Sequence, residues 1–289
     1  MHTLNASPAA PLTASPLSAG RQAFVYFLAT FAISWLGAFL LVARQLLHHQ
    51  PIPKFTGLMM FPVMLLGPSA CGIFLIWYFD GRAGVCNFFA RLSPSKIRPR
   101  LLAALLIPPS LILLVLFALK TFVTPVYAPN RFFIGAGFGL VAGFFEELGW
   151  TGFALPRMFA ASKNWFAPAI LLGVIWGCWH IPVIDYLGTA TPHGAAWLPF
   201  FLAFTAAMTA IRVLVAWLYA QTQSIVLAQL MHAFSTASLV VFSPAAASAQ
   251  QEAFWYFIYA AALWLLVLVL KSTGRFGPTP SPSIQTPTV

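Results

Sequence analysis

The chain has 289 residues, of which 60% are hydrophobic and only 7% are charged, and its formal net charge is +10. A soluble domain has about 25% charged residues, so this composition excludes an ordinary water-soluble fold and indicates a membrane protein. The basic excess does not indicate a nucleic-acid partner, because Lys and Arg are spread between apolar stretches without a nucleic-acid-binding signature. Anionic membrane lipid is the expected partner of these charges.

The two ends of the chain differ in composition from its middle. Residues 1–20 are rich in Ala, Ser, Pro and Thr and contain no Lys or Arg, which predicts a disordered tail. Residues 276–289 repeat Pro, Ser and Thr and predict a second unstructured tail. The region between them, 21–275, is therefore predicted to form one transmembrane domain.

Long apolar runs fill this domain, and crossing a hydrocarbon core takes about 20 helical residues. Continuous runs of this length indicate helices, since lipid offers no water to open backbone groups. The sequence predicts an all-α, polytopic bundle of about eight spans. The spans lie near residues 23–43, 57–79, 101–119, 132–155, 165–186, 196–219, 223–243 and 253–271.

The loop charges predict an orientation. With the N-terminus on one side and an even number of spans, ten of the 15 Lys and Arg residues fall on the side of the termini and four on the other. The fifteenth, Arg212, lies within a predicted span and belongs to neither side. Because cytoplasmic loops are enriched in Lys and Arg, both termini are expected in the cytoplasm. The style of the motifs described below favours a bacterial inner membrane.

Two adjacent carboxylates interrupt the fourth span. Glu146 and Glu147 lie in the run Phe-Phe-Glu-Glu-Leu-Gly-Trp, whereas the other three acidic residues fall at span ends. A carboxylate within a span costs about 2.5–3.5 kcal/mol even on the lenient insertion scale, so such residues are usually functional. A structural pair that hydrogen-bonds neighbouring helices is the alternative.

Two histidines accompany the carboxylates on other spans. His180 follows Trp176 by four residues, and His232 precedes Thr236 by four, so each pair shares a helix face. His193, by contrast, falls between spans and is expected at the surface. Imidazole changes its charge near neutral pH, which suits it to proton transfer beside a carboxylate.

Carboxylates and imidazoles of this kind can catalyse the hydrolysis of an amide bond. A carboxylate can accept a proton from water while an imidazole or another donor stabilises the oxyanion. A divalent metal such as zinc is a second possible organiser, with Glu146, His180 and His232 as its ligands. The sequence leaves both schemes open.

At these residues the chain resembles the CPBP intramembrane proteases, the family of CAAX prenyl endopeptidases and bacteriocin-processing enzymes also called the ABI family. The family pattern is a Glu-Glu pair, an aromatic-x-x-x-His on the next span and a His-x-x-x-Asn on a later one. Here they read Glu146-Glu147, Trp176 to His180, and His232 to Thr236. The resemblance covers about residues 130–245.

The resemblance implies an intramembrane endopeptidase, either metallo- or glutamate-dependent, that cuts a peptide or protein substrate in or beside the membrane. Glu146 would activate water, His180 would position that water or a metal, and His232 would bind the oxyanion. Glu147 would orient its neighbours.

The sequence departs from the family pattern twice. Many members carry Arg five residues after the first Glu, where this chain has Thr151, and Thr236 replaces the final Asn. The Thr236 hydroxyl can still donate one hydrogen bond.

Two other functions remain open. The first is a non-catalytic immunity or partner-binding protein on the same fold. The second is a proton-coupled transporter, which the lack of recognisable repeat halves disfavours. The sequence does not specify the oligomeric state.

Overall fold

The computed structural model describes residues 17–93, 99–187 and 192–274, and these ranges contain helices and no strand. Residues 1–16 of the predicted N-terminal tail and the whole predicted C-terminal tail, 276–289, lie outside the described residues. The α-helices, in chain order, are α1 (Ala19–Leu47), α2 (Lys54–Met64), α3 (Leu66–Arg91), α4 (Pro99–Ala103), α5 (Ile107–Phe122), α6 (Gly135–Gly149), α7 (Leu155–Ala160), α8 (Phe166–Trp179), α9 (Ile184–Leu187), α10 (Trp197–Thr222), α11 (Ile225–Phe242) and α12 (Ala249–Ser272).

The predicted transmembrane helix bundle is confirmed. Six helical segments of the described chain are long and apolar enough to cross a membrane, and the bent pair α8–α9 can supply a seventh. The remaining predicted span, 132–155, coincides with α6, which continues through a π-helical segment, Trp150–Ala154, into α7. The protein is therefore an integral membrane protein built from helices alone in its described part.

A glycine stripe brings α6 close to α11. Gly135, Gly139 and Gly143 recur every fourth residue, so they lie on one face of α6. A Cβ on Gly143 would lie 2.6 Å from the Gln229 carbonyl oxygen and 2.7 Å from the Ala233 nitrogen, both backbone atoms of α11. Small residues at such a crossing let two membrane helices approach closely. The contact places the two glutamates of α6 opposite His232 of α11.

A second close crossing joins α8 to α10. A Cβ on Gly177 would lie 2.6 Å from the Thr205 methyl group, and one on Gly173 would lie 2.6 Å from the Thr209 Cα. α8 then ends at Trp179, and a turn of 3-10 helix containing Pro182 leads into α9 at a bend of 41°. His180 therefore lies at the end of α8, where the chain changes direction, because Pro182 cannot continue the helix.

Polar contacts define two opposite faces of the bundle. On the face of the termini, Arg157 pairs with Asp80 at 2.7 Å and donates to the Gln22 side chain at 2.7 Å. On the other face, the backbone N–H of Asn130 donates to the Phe242 carbonyl oxygen at 3.1 Å. This hydrogen bond joins the segment before α6 to the end of α11.

His193 lies on this second face, and the expectation that it is a surface residue is wrong. The ring is buried because it stacks on Phe200 at 3.9 Å between Asp185, 2.7 Å away, and Glu252, 3.3 Å away. Burial lowers the pKa of His193, but the hydrogen bonds and charges of Glu252 and Asp185 outweigh it and raise the pKa above its ordinary value. His193 therefore bridges Asp185 of α9 to Glu252 of α12.

Candidate active site

The two glutamates of α6 have different surroundings, although they are adjacent and both 0% exposed. Neighbouring helical side chains point about 100° apart, so the two carboxylates meet different sets of partners and share only His232. Glu146 Oε2 accepts a hydrogen bond from Trp176 Nε1 at 2.6 Å. Its other oxygen, Oε1, has no hydrogen-bond partner among the described residues and lies 3.9 Å from His232 Nε2. Glu146 therefore has one oxygen held by α8 and one free to act.

Glu147 is instead held by three side chains. Its Oε2 accepts from Arg212 Nη1 at 2.8 Å and from the Thr151 hydroxyl, and its Oε1 lies 2.7 Å from His232 Nδ1. Since a carboxylate can only accept, we assign the Nδ1 proton to His232. In this tautomer Nε2 of His232 carries no proton, and it faces Glu146.

His180 is fixed by the helix that carries it. Its Nδ1 lies 2.8 Å from the Trp176 carbonyl oxygen, which can only accept, so we assign the proton to Nδ1 here as well. The ring packs edge-on against Trp176 and Trp179, and it stacks on Phe61 of α2 at 6.3 Å. This anchoring leaves Nε2 available to a water molecule or a substrate.

Most of these groups line one cavity of about 440 Å³. Glu146, His180, His232 and Thr236 all line it, so the structure brings four of the five predicted site residues to one space. Glu147 lies behind them and contacts His232. The rest of the lining is mainly apolar, from α2, α6, α8, α9, α10, α11 and α12, with polar exceptions at Lys54, Asn130, Ser243, Tyr186 and Tyr256. Such an apolar site with a few convergent polar groups is typical of a substrate pocket.

The cavity lining reaches one face of the bundle. Lys54 begins α2, Asn130 precedes α6, and Ser243 follows α11. These three positions lie at helix ends on the face opposite the termini. The cavity therefore extends from the buried glutamate towards that face.

The sequence left a zinc set of Glu146, His180 and His232 as one possible organiser of the site. No three His, Cys, Asp or Glu side chains within the described ranges are placed to hold a metal ion together. His232 Nδ1 is engaged by Glu147 and His180 Nδ1 by a carbonyl oxygen, so only the Nε2 atoms face the cavity.

Arg212 belongs to the site, and the sequence analysis missed it. Its side chain is 0% exposed in α10 and pairs with Glu147. The available signal was its position within an apolar span, the same reasoning that singled out the glutamates.

A comparison with known protein families matches the segment that contains these residues. Residues 128–238 match the family of Rce1-like type II CAAX prenyl endopeptidases. The resemblance predicted from the three motifs is thus confirmed over this region, which contains all five predicted site residues. A 45-residue segment is also 42% identical to "CAAX prenyl protease 2" of Methanococcus maripaludis, a match that covers 16% of this chain and 16% of that protein.

Proposed function

We propose that the protein is an intramembrane endopeptidase of the CAAX protease type, which hydrolyses a peptide bond in or next to the membrane with water activated by Glu146. One observation carries this proposal: the free oxygen of Glu146 shares a largely apolar cavity with His180, His232 and Thr236. The match to the Rce1-like family over 128–238 supports the same reaction class.

The reaction would proceed by general base and then general acid catalysis. Glu146 accepts a proton from water, and the water oxygen bonds to the peptide carbonyl carbon, whose oxygen becomes an oxyanion. When the carbon–nitrogen bond breaks, Glu146 returns the proton to the leaving amine. The products are a new carboxyl terminus and a new amino terminus.

The other residues would support these steps. His180, with Nε2 free, accepts a hydrogen bond from the attacking water and aligns it. Thr236, one helical turn beyond His232 on the cavity wall, donates its hydroxyl to the oxyanion. His232 Nε2 lies 3.9 Å from the free oxygen of Glu146 and faces the proton that Glu146 holds before returning it to the leaving amine. Glu147 orients His232.

Cleavage assays on the purified protein test this proposal. Glu146→Gln keeps an acceptor for Trp176 but cannot take a proton, so we expect cleavage of membrane-anchored peptides to fall by about 100- to 10,000-fold. Glu252→Gln is the matched control, because Glu252 is equally buried in α12 but does not line the cavity. It should retain cleavage.

Two outcomes would argue against the proposal. Full cleavage by Glu146→Gln would eliminate Glu146 as the base. No cleavage by the wild-type protein across a broad peptide library would favour the non-catalytic immunity or partner-binding function. Metal analysis of the same sample tests the zinc alternative separately.

We also propose that both termini are cytoplasmic in a bacterial inner membrane, so that the cavity opens on the opposite face. Cys86 is exposed beyond the kink of α3, on the face of the termini. A membrane-impermeant maleimide should therefore label Cys86 only after spheroplasts are lysed. Lys54→Cys in a Cys86→Ser background should label in intact spheroplasts, and the reverse pattern would invert the orientation.

A further inference from the structure

Arg212 is a buried cation with an incomplete set of partners. It lies in the middle of α10, its side chain is 0% exposed, and its Nη1 donates to Glu147 at 2.8 Å. Its Nε and Nη2 have no hydrogen-bond partner among the described residues. A buried charge is costly unless it is paired, so one contact to Glu147 supplies most of what keeps Arg212 in place.

The carboxylate of Glu147 joins this cation to the active site. Arg212 and Thr151 both reach Oε2 of Glu147, while His232 Nδ1 faces Oε1 at 2.7 Å. Fixing one oxygen of a planar carboxylate fixes the other. The position and tautomer of His232 therefore depend on the Arg212 contact, although Arg212 does not line the cavity.

A second chain of contacts links Arg212 to Glu146 through Trp176. The guanidinium lies over the ring of Trp176, 4.3 Å from its centroid. A cation in this position attracts the face of an indole. Trp176 Nε1 in turn donates to Glu146 Oε2, and the Trp176 carbonyl oxygen faces His180 Nδ1. Arg212 thus contacts the residue that holds Glu146 and the residue that holds His232.

We propose that Arg212 is a positioning residue for the peptidase reaction: it orients Glu147, and through it His232, while it braces Trp176 against Glu146. This inference rests on the proposed function. Loss of such a support should lower kcat rather than raise KM, since Arg212 does not reach the substrate. Loss of the residues that orient metal ligands typically costs about 10- to 100-fold in activity, and we expect a loss of the same order for Arg212.

Four variants test the proposal by kinetics. Arg212→Leu should lower kcat about 10- to 100-fold with KM unchanged. Arg212→Lys should recover part of the loss, because an ammonium supplies the charge without the planar fork. Thr151→Arg in the Arg212→Leu background should recover more, since residue 151 reaches the same oxygen of Glu147. Arg212→Leu combined with Glu147→Gln should be no worse than the more damaging single change, because residues that act as a unit are not additive.

A spectroscopic readout separates this inference from the proposed function. With ¹⁵N-labelled histidine, the ring nitrogen shifts of His232 report which nitrogen carries the proton, whether or not the protein cleaves a peptide. The wild type should show the proton on Nδ1, and Arg212→Leu should change that signal. If Arg212→Leu does not fold, Arg212→Lys is measured instead, because it keeps the buried charge but loses the planar guanidinium. Two results would overturn the proposal: a wild-type kcat in Arg212→Leu, or an unchanged His232 signal together with kcat losses that multiply when Arg212→Leu and Glu147→Gln are combined. A wild-type protein without activity would contradict only the proposed function.

Discussion

Replacement of His180 with alanine is expected to lower kcat by about 100-fold, because a misplacement of the attacking water by about 1 Å can cost that much. The Nδ1 atom is held by the Trp176 carbonyl oxygen, so the contribution of the ring to the reaction comes from Nε2. The measurement is steady-state cleavage of the best membrane-anchored peptide, with thermal unfolding in detergent as a check on folding.

The variant His180→Asn tests whether His180 takes part in the reaction or only holds the end of α8 in place. The asparagine amide can still donate to the Trp176 carbonyl oxygen, but it offers no imidazole nitrogen to the cavity. We therefore expect His180→Asn to be as inactive as His180→Ala. Recovery of activity in His180→Asn would show that His180 only fastens the end of α8, and the water would then need another partner.

The helices and the main polar residues of the site followed from the sequence because both depend on local patterns. Apolar length identified the spans, and a carboxylate in an apolar span identified Glu146 and Glu147 without knowledge of any contact. The four-residue spacing of Trp176 and His180 also placed them on one face. Each of these inferences used neighbours along a single helix.

Partner identities across helices did not follow from the sequence. A membrane helix is apolar on most of its surface, so its pattern does not say which neighbour a given face contacts. Arg212 illustrates this, since its partner lies 65 positions earlier in the chain on α6. His193 is similar: its burial comes from Glu252 and Asp185, which lie on two other helices. The π-helical turn after Glu147 has no signature in the sequence that we can identify.

The glycine spacing of α6 predicts part of a contact between helices, but not the identity of the partner helix. Gly135, Gly139 and Gly143 predict a close helix neighbour, because small residues four apart are typical of tight crossings in membranes. They do not specify α11 as that neighbour. The crossing determines the site, since it sets the distance between Glu147 of α6 and His232 of α11.

Gly143→Ala should therefore damage both stability and activity. Its Cβ would lie within 2.7 Å of two backbone atoms of α11, which cannot rotate away as a side chain can. Overpacking of this kind costs about 1–3 kcal/mol, and relief requires α6 and α11 to separate. The separation would pull His232 from Glu147, so we expect a lower melting temperature in detergent together with loss of cleavage.

Gly137→Ala is the matched control in the same helix. Nothing lies within 4 Å of a Cβ at Gly137, so the substitution adds no clash. Alanine is favoured over glycine in a helix by about 1 kcal/mol, and the melting temperature should stay the same or rise. Opposite signs for these two Gly→Ala changes would show that the α6–α11 crossing, rather than helix propensity, governs the site. If both variants were equally stable and active, the close approach of α6 to α11 at Gly143 would not be what holds Glu147 against His232.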